Sequence, residues 1–99
     1  MNPEPAVLIN AFEVPEAHDQ AFLQAWERAR AFLGTQPGYL SARLHRSLSP
    51  GADFRFVNIA RWQSPQAFQA ATAQPEFAST PVPFAFHAAL YEVIRQDRR

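Results

Sequence analysis

Apolar residues recur along the chain with two different periods, and the changes of period divide it into strands and helices. Alternation by twos predicts four strands, over residues 6–14, 39–47, 55–62 and 88–95. Each strand is bounded by proline, glycine or a polar turn, as expected where a strand ends. The two strands 39–47 and 55–62 are joined by a short turn, so we expect them to form a hairpin.

Two stretches with helical periodicity lie between these strands. The first follows Pro15 and ends near Gly34, and its apolar positions include Phe22, Trp26, Ala29 and Leu33. The second is predicted over residues 64–74, because Ser64 is a good N-cap and the proline after it suits the first helical position. The order β-α-β-β-α-β predicts an α+β, ferredoxin-like fold with a four-stranded antiparallel sheet in the spatial order 4-1-3-2.

The two central strands of this sheet are apolar on both faces. Two helices cover only one face, which leaves four apolar side chains in need of cover: Val7, Ile9, Val57 and Ile59. A second copy of the same sheet would bury them, so the pattern predicts a homodimer formed through the sheet face. In the hairpin, strand parity places Tyr39, Arg43 and His45 together on an exposed face.

Each central strand carries one asparagine, and both asparagines are predicted on the helix-facing side. Asn10 shares its face with Phe12, and Asn58 shares its face with Trp62. Two amides beneath the helices could orient a flat organic ligand in an apolar pocket. They could equally be structural, with each amide hydrogen-bonded to the backbone or to the other.

The segment after the second helix contains several prolines and holds further candidates for the site. Phe77, Phe84 and Phe86 lie in or beside it and are candidates for an irregular wall over a cavity. His87 follows in an apolar setting that would keep it neutral near pH 7, so it is a candidate general base, although a structural role is an alternative. The three histidines have no metal-ligand spacing, and no metal site is predicted.

Composition narrows the possible functions. The 99 residues fit a single domain with a core over about residues 6–95, and nine acidic residues balance nine basic ones, so nucleic acid is not expected as a partner. All the basic residues are arginine and there is no cysteine, which excludes Schiff-base, thiolate and disulfide chemistry. No membrane span or targeting segment is recognisable, so a cytoplasmic location is expected.

Three stretches in this order resemble the antibiotic biosynthesis monooxygenase (ABM) family: VLINAFEVP, PGYLSARLHRSL and NIARWQSPQAF. The resemblance implies a dimeric α+β barrel. It also implies that molecular oxygen oxidises a small electron-rich aromatic, such as a quinol or aromatic polyketide, without metal or flavin cofactor. On that hypothesis Asn10 and Asn58 orient the substrate, Phe12 and Trp62 pack beside it, and His87 is the base.

Two alternatives remain at this stage. The related haem-degrading monooxygenases use an asparagine, a tryptophan and a histidine around haem; Asn10 matches the asparagine, but Ala71 and Pro81 fall where the other two would be. Haem degradation is therefore disfavoured. The second alternative is a non-catalytic dimeric module that binds a small aromatic ligand, because one fold can host unrelated functions.

Overall fold

The computed structural model describes residues 5–99 and confirms the α+β, ferredoxin-like fold. A single 3-10 turn, Glu16–His18, precedes the first helix. The strands and helices are β1 (Ala6–Glu13), α1 (Asp19–Leu33), β2 (Tyr39–Arg46), β3 (Phe56–Trp62), α2 (Pro65–Thr72), α3 (Pro75–Ala78) and β4 (Ala85–Tyr91).

The four strands form one antiparallel sheet in the order β2-β3-β1-β4, which confirms the spatial order predicted from the sequence. In the central pair Asn10 lies directly opposite Asn58. The register also places Phe12 opposite Phe56 and thereby aligns the apolar helix-facing positions of both strands.

The last strand starts and ends earlier than the prediction over residues 88–95. It runs over Ala85–Tyr91, because it pairs along almost all of β1, from Glu13 opposite Ala85 to Val7 opposite Tyr91. The length of the partner strand therefore sets the limits of β4. The residues after Tyr91 continue the alternating pattern in the sequence. They lie beyond the end of β1, however, and so have no strand within residues 5–99 with which to pair.

The predicted helix over residues 64–74 is confirmed at its start and ends sooner. The Ser64 hydroxyl accepts a hydrogen bond from the backbone N–H of Ala67 at 3.1 Å, as an N-cap does. Pro75 then occupies the first position of the separate short helix α3.

The core lies between the helices and one face of the sheet. Its largest fully buried side chains are Trp62, Phe22 and Phe56. The opposite face carries Val7, Ile9, Val57 and Ile59, which are half-buried because none of the described helices covers them. No helix in the described part of the chain is both long and apolar enough to cross a membrane.

An ion pair holds the start of α1 against the sheet. Arg55 donates from Nε to Asp19 Oδ1 at 2.6 Å and from Nη2 to Asp19 Oδ2 at 2.8 Å. Arg46 approaches the same carboxylate at 3.6 Å. The hydrogen bonds from Arg55 lower the pKa of Asp19 below its ordinary value.

Gly38 joins α1 to β2 by a backbone conformation that suits glycine. Its φ is +89°, and a Cβ atom there would lie 2.5 Å from the Cβ of Ala67. Its carbonyl accepts a hydrogen bond from Gln63 N–H at 2.8 Å. This close approach fixes the beginning of α2 beside the beginning of β2.

Candidate active site

A cavity of about 500 Å³ lies between the helices and the helix-facing side of the sheet. Its floor is formed by β1 and β3, and its walls come from α1, the start of β2, α2, the segment after α2, and β4. Most of its lining is aliphatic or aromatic. Such a cavity is large enough for a small organic molecule.

Asn10 and Asn58 meet on the floor of this cavity. Both amide oxygens are buried, and neither accepts a hydrogen bond from any of residues 5–99. The Nε1 of Trp62, another lining residue, is likewise buried without a partner in that range. An unsatisfied buried polar group costs about 1–3 kcal/mol, so the interpretation of these amides as mutually satisfied structural groups is not supported.

Aromatic rings form much of the cavity wall. Trp62 contacts Tyr39 edge-to-face, with ring centroids 5.3 Å apart, and Phe68 at 5.6 Å. Trp26 lines the cavity from α1, so both tryptophans of the chain border it. Flat faces and ring edges around two polar amides favour a planar aromatic ligand.

The other aromatic candidates do not all lie in one place. Phe12, Phe77 and Phe86 line the cavity. Phe84 does not: it packs edge-to-face on Phe22, with centroids 5.6 Å apart, next to the buried aromatic cluster. Phe84 precedes β4, and its ring turns towards the core at the start of α1. The expectation that Phe84 forms part of the cavity wall is therefore corrected.

His87 lies on the opposite side of the sheet from the cavity. It pairs with Ala11 across β1 and β4, and the alternation of side chains sends it to the uncovered face, while its neighbour Phe86 reaches the cavity. Its Nε2 lies 2.8 Å from Glu13 Oε2, and its side chain is 56% exposed. The apolar setting expected for His87 is thus wrong, and its position does not support a role as base in this cavity.

Tyr39 was expected on an exposed face with Arg43 and His45, but it lines the cavity. A β-bulge between Tyr39 and Ser41 shifts the register, so that Tyr39 lies opposite Trp62. The extra residue reverses the parity of the strand start relative to the rest of β2. Strict alternation could not reveal this reversal.

Arg30 also lines the cavity and was not singled out from the sequence. It stands four positions after Trp26 on α1, so the two share a helix face, and this spacing could have identified it. Its Nε and Nη2 donate to Glu27 Oε1 at 2.9 and 2.6 Å. Those hydrogen bonds raise the pKa of the guanidinium, with a smaller contribution from Tyr39.

The cavity has few groups able to exchange a proton. Arg30 and Tyr39 are the titratable residues in the described lining, which includes no histidine and no carboxylate. No three histidine or acidic side chains cluster in a way that could hold a metal ion within residues 5–99. The lining can therefore orient and stabilise a ligand by hydrogen bonds, but it offers no evident general base.

The sequence of residues 5–80 matches the family model described as antibiotic biosynthesis monooxygenase. The chain belongs to the ABM family. The match covers β1 to α3 and includes both cavity asparagines. No match was found among curated proteins.

Solved structures of ABM-fold proteins superpose along almost the whole chain. A "putative monooxygenase" from Shewanella loihica is 40% identical, with a TM-score of 0.85 over 94% of this chain and 97% of that one. SnoaB, a cofactor-independent oxygenase from Streptomyces nogalater, is 28% identical, with a TM-score of 0.79 over 95% and 97%. The haem-degrader MhuD from Mycobacterium tuberculosis, with two haems bound, is 29% identical, with a TM-score of 0.72 over 95% and 100%.

The MhuD similarity calls for a comparison of the cavity with what haem requires. Haem iron is held in proteins by histidine, cysteine, methionine or tyrosine. Of these residue types, Tyr39 alone occurs in the described lining, and its ring packs against Trp62. Ala71, expected at the position of the tryptophan, lies within α2 and is buried in the core at 2% exposure. Pro81 lines the cavity without offering a ligand.

Proposed function

We propose that this ABM protein is a cofactor-independent monooxygenase of small electron-rich aromatics, of the quinol or aromatic polyketide type, that uses molecular oxygen. The observation that carries the proposal is the set of three unpartnered polar groups, Asn10 Oδ1, Asn58 Oδ1 and Trp62 Nε1, bordering an otherwise apolar cavity. The 40% identity to a protein described as a monooxygenase and the similarity to the oxygenase SnoaB support it.

The polar groups match the hydrogen-bonding needs of a hydroxylated aromatic. The two amide oxygens can accept hydrogen bonds from aromatic hydroxyls, and the indole N–H can donate one to a carbonyl or to an oxyanion. Donors aimed at an oxyanion stabilise the ionised substrate, which is the electron-rich form that reacts with oxygen. Trp62 and Phe12 pack beside the ring.

The proposed reaction balances without any other reactant. A ring methylene of the ionised substrate supplies electrons to oxygen and forms a C–O bond; cleavage of the O–O bond then leaves a carbonyl on the carbon and releases the second oxygen atom as water. One methylene and one O2 thus give one carbonyl and one H2O. A quinol has no ring methylene; there oxygen adds to a ring C–H carbon, and one quinol and one O2 give one hydroxyquinone and one H2O. Since the described lining holds no histidine or carboxylate, we propose that the hydroxyl proton of the substrate leaves to water.

Oxygen consumption tests this proposal directly. We expect the wild type to consume oxygen above the uncatalysed rate with at least one member of a panel of quinols and hydroxyanthrones. Asn10→Ala and Asn58→Ala should lower that rate about 10²-fold, because loss of a hydrogen bond that orients the substrate misplaces its reacting carbon. Gln66→Ala, at an exposed position of α2, serves as the control. A wild type that consumes no oxygen above background with the whole panel would refute the oxygenase function.

A non-catalytic module that binds a small aromatic ligand is the alternative function. It is favoured by the scarcity of proton-exchanging groups in the cavity. Calorimetric binding of quinols combined with no turnover would support this alternative, whereas loss of turnover in Asn58→Ala with retained binding would support the enzyme.

Haem degradation remains disfavoured in our proposal, because the cavity lining contributes no histidine. A hemin titration followed by the Soret absorption provides the test. We expect no stoichiometric complex; a saturable complex at one or two haems per chain, followed by loss of the haem spectrum under reducing conditions, would replace the present proposal.

We also propose that two copies associate through the uncovered sheet face. Val7, Ile9, Val57 and Ile59 form an apolar patch there that no described helix covers. Light scattering on the purified protein should give the mass of a dimer, and Ile9→Arg should shift it towards the monomer. A monomeric wild type would refute this proposal. The cytoplasmic location stays a prediction.

A further inference from the structure

Arg30 is the one charged residue in the described lining of the cavity. Its guanidinium is oriented by Glu27, which accepts from Nε and Nη2 through the single oxygen Oε1. Glu27 is more exposed than Arg30, with side-chain exposures of 58% and 38%, and it does not line the cavity. The carboxylate thus lies on the solvent side of the guanidinium, and its hydrogen bonds use Nε and Nη2 but not Nη1.

Two further hydrogen-bond donors lie near this end of the cavity. The Tyr39 hydroxyl is close enough to Arg30 to contribute to its raised pKa. The Tyr39 ring contacts Trp62 edge-to-face at 5.3 Å, and the buried indole Nε1 of Trp62 has no partner in the described chain. Tyr39 therefore lies between Arg30 and Trp62, and these three lining residues form one wall where it meets the floor that carries the two amides.

We propose that this wall recognises an anionic oxygen on a planar aromatic ligand, with Arg30 as the residue that determines the preference for an anion. The anionic group is either a carboxylate or an ionised ring hydroxyl, since both present an acceptor oxygen to the guanidinium. The proposal rests on the function proposed above and specifies its ligand: a charged aromatic binds in preference to its neutral counterpart. Hydrogen bonds to charged groups are stronger than neutral ones, which is the physical basis of the preference.

Matched pairs of ligands that cannot be oxygenated separate this proposal from turnover. The carboxylate pair is 2-naphthoate and 2-naphthamide. The ring-hydroxyl pair is 2-hydroxy-1,4-naphthoquinone, which is ionised at neutral pH, and its methyl ether. Isothermal titration calorimetry of the full chain with each of the four ligands gives, for each pair, the ratio of the affinity for the anion to the affinity for its neutral counterpart. The pair with the larger ratio shows whether the wall prefers a carboxylate or an ionised ring hydroxyl.

We expect the wild type to bind at least one anion about tenfold more tightly than its neutral counterpart, as one charged hydrogen bond provides. Arg30→Gln should bring that ratio to about one, while Arg30→Lys, which keeps the charge, should retain part of it. Arg28→Gln is the matched control, because Arg28 is exposed on the same helix and lies outside the cavity. Added salt should weaken anion binding in the wild type and leave the neutral ligands unaffected.

Equal affinities within both pairs for the wild type would overturn the proposal, as would an anion preference that survives in Arg30→Gln or is lost in Arg28→Gln. Absence of binding by all four ligands would overturn it as well. Oxygen consumption with neutral hydroxyanthrones is measured separately. The oxygenase function can therefore be supported when anion recognition fails, and anion recognition can be supported when no oxygen is consumed. Circular dichroism of each variant confirms that the fold is retained.

Discussion

Replacement of Asn58 by leucine should stabilise the protein and abolish its function. The side chain is 9% exposed, and its amide oxygen is buried without a hydrogen-bond partner in the described chain. Such a group costs about 1–3 kcal/mol. Leucine has the same branched shape as asparagine, and its larger methyl groups can extend into the adjacent cavity, so an imperfect fit should cost less than about 1.5 kcal/mol. The expected net gain in the free energy of unfolding is therefore about 1 kcal/mol.

Equilibrium urea unfolding of wild type and Asn58→Leu measures this difference, and a domain of this size should melt about 4–8 °C higher for a gain of about 1 kcal/mol. The same preparations are assayed for oxygen consumption, where Asn58→Leu should show the uncatalysed rate. Asn58→Asp is the control with the opposite expected effect on stability. An unpaired buried carboxylate destabilises the fold when charged, so this variant should lose stability as pH rises above about 4, the ordinary pKa of an aspartate.

The reasoning would be refuted if Asn58→Leu lost more than about 1 kcal/mol of stability without loss of activity. Such a result would mean that the amide is satisfied in the native protein and contributes to the fold rather than to the site. A stable and fully active Asn58→Leu variant would also contradict the proposed function, because ligand orientation would then not depend on this amide.

Three further predictions concern the wider molecule. Gly38→Ala should destabilise the fold by about 1–3 kcal/mol in urea unfolding, because alanine disfavours the positive φ and its Cβ would meet Ala67; unchanged stability would contradict the close approach. Because the pKa of Asp19 is lowered by Arg55, its ion pair stabilises the fold above pH 3.8, the ordinary pKa, and that stability is lost as pH falls through the lower native pKa. Thermal melts of Asp19→Asn should lie below wild type at pH 7 and converge with it in acid; a constant difference would argue against the pair. Finally, the pH at which oxygen consumption is half-maximal should follow the pKa of each substrate hydroxyl; a single value for all substrates would indicate a base in the protein.

The cavity combines features that favour ligand binding over stability. Its unpartnered amides and indole N–H each cost free energy in the ligand-free chain. The fold tolerates that cost because it buries large aromatic side chains fully, those of Trp62, Phe22 and Phe56. A ligand that satisfies these groups should raise the melting temperature, since it binds the native state alone.

Three features follow from the amino-acid pattern alone: the order of the elements, the antiparallel sheet and the position of the two asparagines on its helix-facing side. Period-two alternation is strict within a regular strand, and the β-α-β-β-α-β order makes the first and third strands neighbours, so Asn10 and Asn58 had to share one face of adjacent strands. The resemblance to the ABM family could also be recognised from short stretches of the chain, and the family match confirms it.

Which other side chains reach the cavity depends mainly on strand pairings that exist only in the folded chain. The limits of β4 depend on its pairing with β1, which sends His87 to the uncovered face and leaves Phe84 in the core. The bulge in β2 depends on its pairing with β3 and turns Tyr39 inward. These pairings join residues far apart in sequence, so the local periodicity of the sequence cannot predict them. Arg30 differs from these residues, because its position four residues after Trp26 places it on the same helix face and its hydrogen bonds to Glu27 are local.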